Sequence, residues 1–163
     1  RLLSVVPSEM YKRIMVAVDE SFMTSQVMRA AVELAKASGA HLAICHAIDE
    51  TILAQREMAM MLPNSVGKTE ARMRLGAQGF LGRLANEAQA AGIEAEIRLV
   101  ESEQKHVSDM LIDAASEWQA DLVVVGTHGR RGIERFFVGS VADRLVRKGH
   151  TSLLLVRGEE GDE

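Results

Sequence analysis

Alternation constrains this chain more than any other feature: short, near-continuous apolar runs trade places with longer stretches whose apolar residues recur every three or four positions. Lys12 to Val18 reads as a strand covered on both faces. Thr24 to Ala37 follows with Val27, Ala31 and Leu34 on one helical stripe, and Gly39 supplies a stop. His41 to Ile48 is a second buried strand. From Thr69 to Ala91 the positions Met73, Ala77, Phe80, Leu84, Ala88 and Ala91 share a helical face that ends at Gly92. Ile93, Ala95, Ile97 and Leu99 alternate with charged residues, which predicts a third strand near a sheet edge. A helix from Val107 to Trp118, a strand from Asp121 to Val125, a helix from Val138 to Lys148 with Val141, Leu145 and Val146 inward, and a strand from Ser152 to Val156 complete the series. Parallel neighbours need right-handed crossovers, and the crossing helices then cover both faces. The pattern therefore predicts an α/β fold, a doubly wound, Rossmann-like, five-stranded parallel sheet. Periodicity does not give the strand order. If the first three strands pack 3-2-1 and the chain then crosses to add 4-5, the reversal falls between strands one and four, where such sheets bind ligands.

Length and composition narrow the class. At 163 residues the chain suits one domain, able to bury roughly 70% of its unfolded surface without a disulfide or metal staple. The domain is expected at 11–157, with 1–10 a flexible leader and 158–163 an acidic disordered tail. The formal charge of −4 equals that of Glu159, Glu160, Asp162 and Glu163 together, so the rest is balanced. Aromatics are 4% and no basic stripe occurs, which argues against a nucleic-acid platform. No apolar run approaches the ~20 residues of a membrane span, so no membrane partner is expected. Cys45, alone in an apolar run, reads as a buried core residue, and the natural compartment is a reducing cytoplasm. Residues 51–68, with Met58, Met60, Met61 and the Pro63-Asn64 break, form the irregular part. The histidines are dispersed, with no metal-ligand spacing.

The chemistry-bearing motif is Gly126-Thr-His-Gly129-Arg130-Arg131, with Gly139-Ser140 ten residues beyond Gly129. It follows a strand and opens a helix, the position where backbone amides meet phosphate. Glycine there permits positive φ and close approach to an oxygen. Ser140 and Val141 offer amides at a helix start, and Arg130 and Arg131 add cationic groups. Two glycines that simply make a turn are the plainer alternative, and for the arginines it is solvation. His128 reads as turn filler, and His46 as a hydrogen-bonded core histidine. Asp19, closing strand one, would face the same crevice as Gly126, or cap the next helix.

On these residues the chain resembles the universal stress protein family from Tyr11-Lys-Arg-Ile-Met-Val-Ala-Val-Asp-Glu-Ser21 to Leu153-Leu-Leu-Val156, and its nucleotide-binding branch through G-x2-G-x9-G-[ST], read as Gly126, Gly129, Gly139 and Ser140. The resemblance implies an ATP-binding domain of strand order 3-2-1-4-5, often a cytoplasmic homodimer, involved in survival under stress. It implies phosphate and ribose contacts from Gly126, Gly129, Gly139, Ser140 and Val141, a ribose-side carboxylate at Asp19, a backbone contact to adenine at Ala47, and a small residue at Ala17 that keeps the ribose side open. Arg130 is the better candidate of the arginine pair for phosphate. The expected cofactor is ATP, with or without Mg2+.

No committed base accompanies the motif, so binding rather than turnover is expected, with slow ATP hydrolysis at most. The function expected is that of a regulatory protein acting through nucleotide-dependent conformation or capture of an unknown partner. An interaction module in which nucleotide is incidental is the alternative. An adenylating enzyme ranks lower, because Val16 to Ser21 carries neither S-G-G-x-D-S nor H-x-G-H. A receiver domain would lack its phosphoacceptor in strand three and its lysine ending strand five. Ser152 to Val156, an apolar strand at the end of the expected order, predicts pairing with a second copy.

Overall fold

A computed structural model describes residues 10–49, 66–127 and 139–158. Five strands, β1 (Arg13–Ala17), β2 (His41–Asp49), β3 (Ala95–Ser102), β4 (Leu122–Gly126) and β5 (Ser152–Val156), form one sheet of order β3-β2-β1-β4-β5. Every pairing is parallel. The described helices are α1 (Thr24–Ser38), α2 (Val66–Ala90), α3 (Val107–Glu117) and α4 (Ser140–Lys148). The order reverses between β1 and β4, so Asp19 and Gly126 leave adjacent strands at the same end of the sheet.

Each central strand feeds two cores because its side chains alternate. Ile14, Val16, Leu42, Ile44, Leu122 and Val124 pack with α1 and α2 on one face. Met15, Ala43, Cys45, Val123 and Val125 pack with α3 and α4 on the other. That double coverage is why these strands read as unbroken apolar runs rather than alternating ones. β3 lies at the edge, and there the cover is incomplete: Ile97 stays 46% exposed.

Helix ends follow local chemistry. α1 stops where Gly39 adopts φ 67° and its amide reaches Ala35 O; a left-handed residue suits glycine best. Gly92 does the same after α2, at φ 93°. α3 closes on Trp118, which is buried and ties three elements together. Its Nε1 donates to Glu96 Oε2 at 3.0 Å, its carbonyl accepts Arg13 Nε at 2.8 Å, and the Arg13 guanidinium lies 4.0 Å from the ring centroid. Such a stack adds cation–π attraction to the hydrogen bonds.

One expectation for α4 needs correction. Ala142 and Leu145 are buried, but Val146 is 57% exposed. A helix lying over two strands at the sheet margin buries a narrow stripe, and Val146 sits one step beyond the stripe that Ala142 and Leu145 define.

Candidate functional site

The carboxyl ends of β1 and β4 and the amino end of α4 form the candidate site. β4 ends in Gly126, and Thr127 continues it by donating its amide to Val156 O at 2.9 Å. Thr127 O then accepts the Gly139 amide at 2.6 Å. This pair closes the base of the 128–138 segment and brings the start of α4 beside the end of β4. Gly139 is the N-cap, and Asp143 N reaches its carbonyl at 3.0 Å. The amides of Ser140 and Val141 precede the first intrahelical bond, so the helix leaves them without an acceptor of its own. A helix start of this kind favours anions through both its N–H groups and its dipole. Ser140 is exposed there, and Val141 is half-buried against the core beneath α3 and α4.

Two glycine expectations change. Positive φ among described glycines occurs only at Gly39 and Gly92, so neither Gly126 nor Gly139 uses left-handed freedom. Gly126 instead accommodates α1, since a Cβ there would meet Val27 Cγ2 at 3.2 Å and the Met23 Cε and Sδ at 3.4 Å. The Gly139 amide is taken by Thr127 O, which leaves the amides of Ser140, Val141 and the buried Ala142 as the open donors of this turn.

Asp19 follows β1 and is half-buried. Its Oδ1 accepts the Ser21 amide at 3.1 Å, and its carbonyl accepts the Thr24 hydroxyl. Asp19 thus holds the turn before α1, although the N-cap itself is Met23. A carboxylate has capacity for further acceptor bonds at its second oxygen. Ala17, paired with Cys45, and Ala47, paired with Val100, both border the core on the α3/α4 side, as Val141 does. The fold therefore gathers Ala17, Ala47 and Val141 on one side of the sheet near its carboxyl ends, while Gly126 faces α1 on the other. Gly129, Arg130, Arg131 and His128 lie outside the described residues, as do 1–9 of the leader, Glu50, 51–65 of the irregular part and 159–163 of the tail, while 66–68, read as irregular, already belong to α2.

Nearby groups are structural. His46 Nδ1 bonds Val18 O at 2.8 Å and its ring meets Phe80 edge to face at 5.4 Å. Cys45 is buried, and desolvation pushes its thiol up to about 12 despite the opposing Arg98 charge. The clefts lined by Leu111, Leu145 and His150, and by His41, Glu94 and Glu96, lie towards the amino ends of the strands, away from Asp19 and Gly126. Sequence reasoning passes over Thr127, Met23 and Val27. Thr127 sits inside the motif and could have been found from it; the two α1 residues carry no local signal beyond their helical spacing.

Residues 10–157 match the Universal stress protein family. A universal stress protein relative from Staphylococcus haemolyticus is 31% identical over 153 residues, covering 92% of this chain and 87% of its own length. A structure from the same family in Burkholderia pseudomallei superposes with a TM-score of 0.70 at 28% identity, covering 91% of this chain and 97% of that one. Two further solved structures carry ligands: a universal stress protein in complex with cAMP (TM-score 0.65, 26% identity, 90% and 97% covered) and one from Archaeoglobus fulgidus in complex with dAMP (0.64, 26%, 90% and 98%).

Proposed function

Because the chain belongs to the universal stress protein family, we propose that it binds an adenine nucleotide, ATP with or without Mg2+, between the ends of β1 and β4, and acts as a regulatory protein through the shape or partner surface of the bound form. The observation that carries this reading is the Thr127 O to Gly139 N bond, which sets the unpartnered amides at the start of α4 beside the end of β4 at the sheet's reversal point. Ser140 and Val141 would meet phosphate, with Gly129 and Arg130 from the intervening segment. Asp19 Oδ2 would accept from a ribose hydroxyl while Oδ1 keeps its turn. Ala17 and Ala47 present little side-chain bulk on the base side, and Ala47 would offer its backbone to adenine. Among the described residues Asp19 is the one at this crevice that would meet a divalent ion, and phosphate oxygens and water would complete its shell.

Binding without fast turnover is the favoured mode, since the described residues near this turn supply donors but no base aimed at a water. The monophosphates in the two liganded relatives favour a second reading, in which a nucleoside monophosphate is the physiological occupant. Calorimetric titration with ATP, ADP, AMP and cAMP separates them. At about a hundredfold excess over Kd the preferred nucleotide is expected to add ~2.7 kcal/mol to stability. No binding and no thermal shift at millimolar concentrations of all four would sink the reading.

The proposal extends to assembly. Among the described strands β5 is a short edge strand whose one neighbour is β4, and antiparallel pairing of Ser152 to Val156 with a second copy would cover it. Leu154→Lys is expected to convert a sedimenting dimer to monomer. A wild-type chain that sediments only as monomer at micromolar concentration contradicts the pairing.

A further inference from the structure

Gly126 is hemmed in by two buried side chains of the α1 start, Met23 and Val27. Met23 and Val27 are 1% and 3% exposed; Met23 is the N-cap of α1 and Val27 lies in its first turn, with Val27 N bonded to Met23 O at 3.0 Å and the Met23 amide held by Ser21 Oγ at 3.3 Å. Their atoms stand 3.2 and 3.4 Å from where a Cβ on Gly126 would lie. The Gly126 backbone lies outside the left-handed region, so what favours glycine here is space and not conformation. On its other side Gly126 is bonded to Thr127, whose carbonyl holds the Gly139 amide at 2.6 Å, and Gly139 is the residue from which α4 springs. A push at Gly126 is therefore one peptide unit and one hydrogen bond away from the Ser140 and Val141 amides.

We infer that Met23 and Val27 are positioning residues for the anion-binding turn: the ridge they form on α1 sets the height of Gly126, and through Thr127 and Gly139 the height of the α4 amino terminus. Gly126 serves the site by admitting that ridge, not by touching the ligand. This rests on the nucleotide-binding reading for its consequence, but the packing relation stands without a ligand. Beyond β5, a Cβ on Gly158 would likewise stand 3.7 Å from Met23 Sδ. Close-packed interiors transmit such displacements instead of absorbing them.

The test uses Gly126→Ala, Val27→Ala and their combination in the full chain, with two readouts: exchange of the Gly139 amide without ligand, and ATP affinity. Gly126→Ala is expected to speed Gly139 exchange and weaken ATP binding, each by about tenfold, and the added Val27→Ala to return both to within about threefold of wild type. Val27→Ile pushes from the α1 side with the glycine untouched and is expected to reproduce the defect, which keeps the inference testable if Gly126→Ala folds poorly. Unchanged Gly139 exchange in both Gly126→Ala and Val27→Ile overturns it, and so does a double variant no better than the single one. Should the exchange pattern hold while wild type binds no ATP, the nucleotide reading fails and the positioning relation survives.

Discussion

Cys45 sits in the middle of β2 with burial holding its thiol protonated to about 12. Below pH 9 the folded and unfolded chains are both protonated, and the residue makes no pH-dependent difference. Between 9 and about 12 only the unfolded chain ionises, so stability falls as pH rises. Moving from pH 8 to 10.5 is expected to cost wild type on the order of 2 kcal/mol more than Cys45→Ala, read from urea midpoints. Equal losses would show that the thiol is not shielded. A second residue-scale prediction concerns Gly149, whose amide caps α4 on Leu145 O at 2.9 Å. A Cβ there would stand 2.6 Å from that same backbone oxygen, which cannot rotate away. Gly149→Ala is expected to destabilise by about 1–3 kcal/mol in chemical denaturation. At this scale Cys45 is legible from its apolar neighbours, whereas the crowding at Gly149 depends on the path of the backbone and carries no sequence signal.

Element by element, the sequence located the helices and strands to within a few residues because period and composition are local properties. The period fails where the neighbour matters. Val146 falls on the apolar side of α4 by spacing, yet it remains exposed while Leu145 beside it is buried. Leu145→Ala is expected to cost about 2–5 kcal/mol, and Val146→Ala to stay within about 0.5 kcal/mol in the monomer. Comparable losses at both positions would restore the wider inward face. The turn from β1 to α1 gives a similar lesson. Asp19 as a site residue and Asp19 as a capping acid looked like alternatives, but Oδ1 holds the Ser21 amide while the second oxygen leaves the ribose role open as part of the proposal.

On the scale of the whole molecule, Asp121 fastens the sheet at the end opposite the candidate site. Its carboxylate accepts the amides of Lys12 and Arg13 at 2.8 and 3.0 Å, and its own amide donates to Arg13 O at 2.9 Å. These contacts register β4 on β1 from residues more than a hundred positions apart in the chain. Asp121→Ala is expected to lower stability by about 1–3 kcal/mol while leaving ATP affinity within about twofold, because the bonds lie at the far end of the strands. A large loss of affinity with little loss of stability would mean that the two ends of the sheet are coupled. Trp118, stacked under Arg13 and bonded to Glu96, reports on the same end by fluorescence.

The sequence by itself determined the fold class and the two-faced burial of the central strands, since these depend on which residues are apolar and how far apart they stand. Strand order came from resemblance, because periodicity carries no information about which strand lies beside which. Only the tertiary structure decided that Met23 and Val27 crowd the place where a Cβ on Gly126 would lie, that Thr127 O occupies the Gly139 amide, and that Val146 is left outside. Each of those depends on atoms brought together from distant parts of the chain: α1 against β4, the two ends of one segment, and a helix at the margin of a sheet. No local pattern encodes such a meeting.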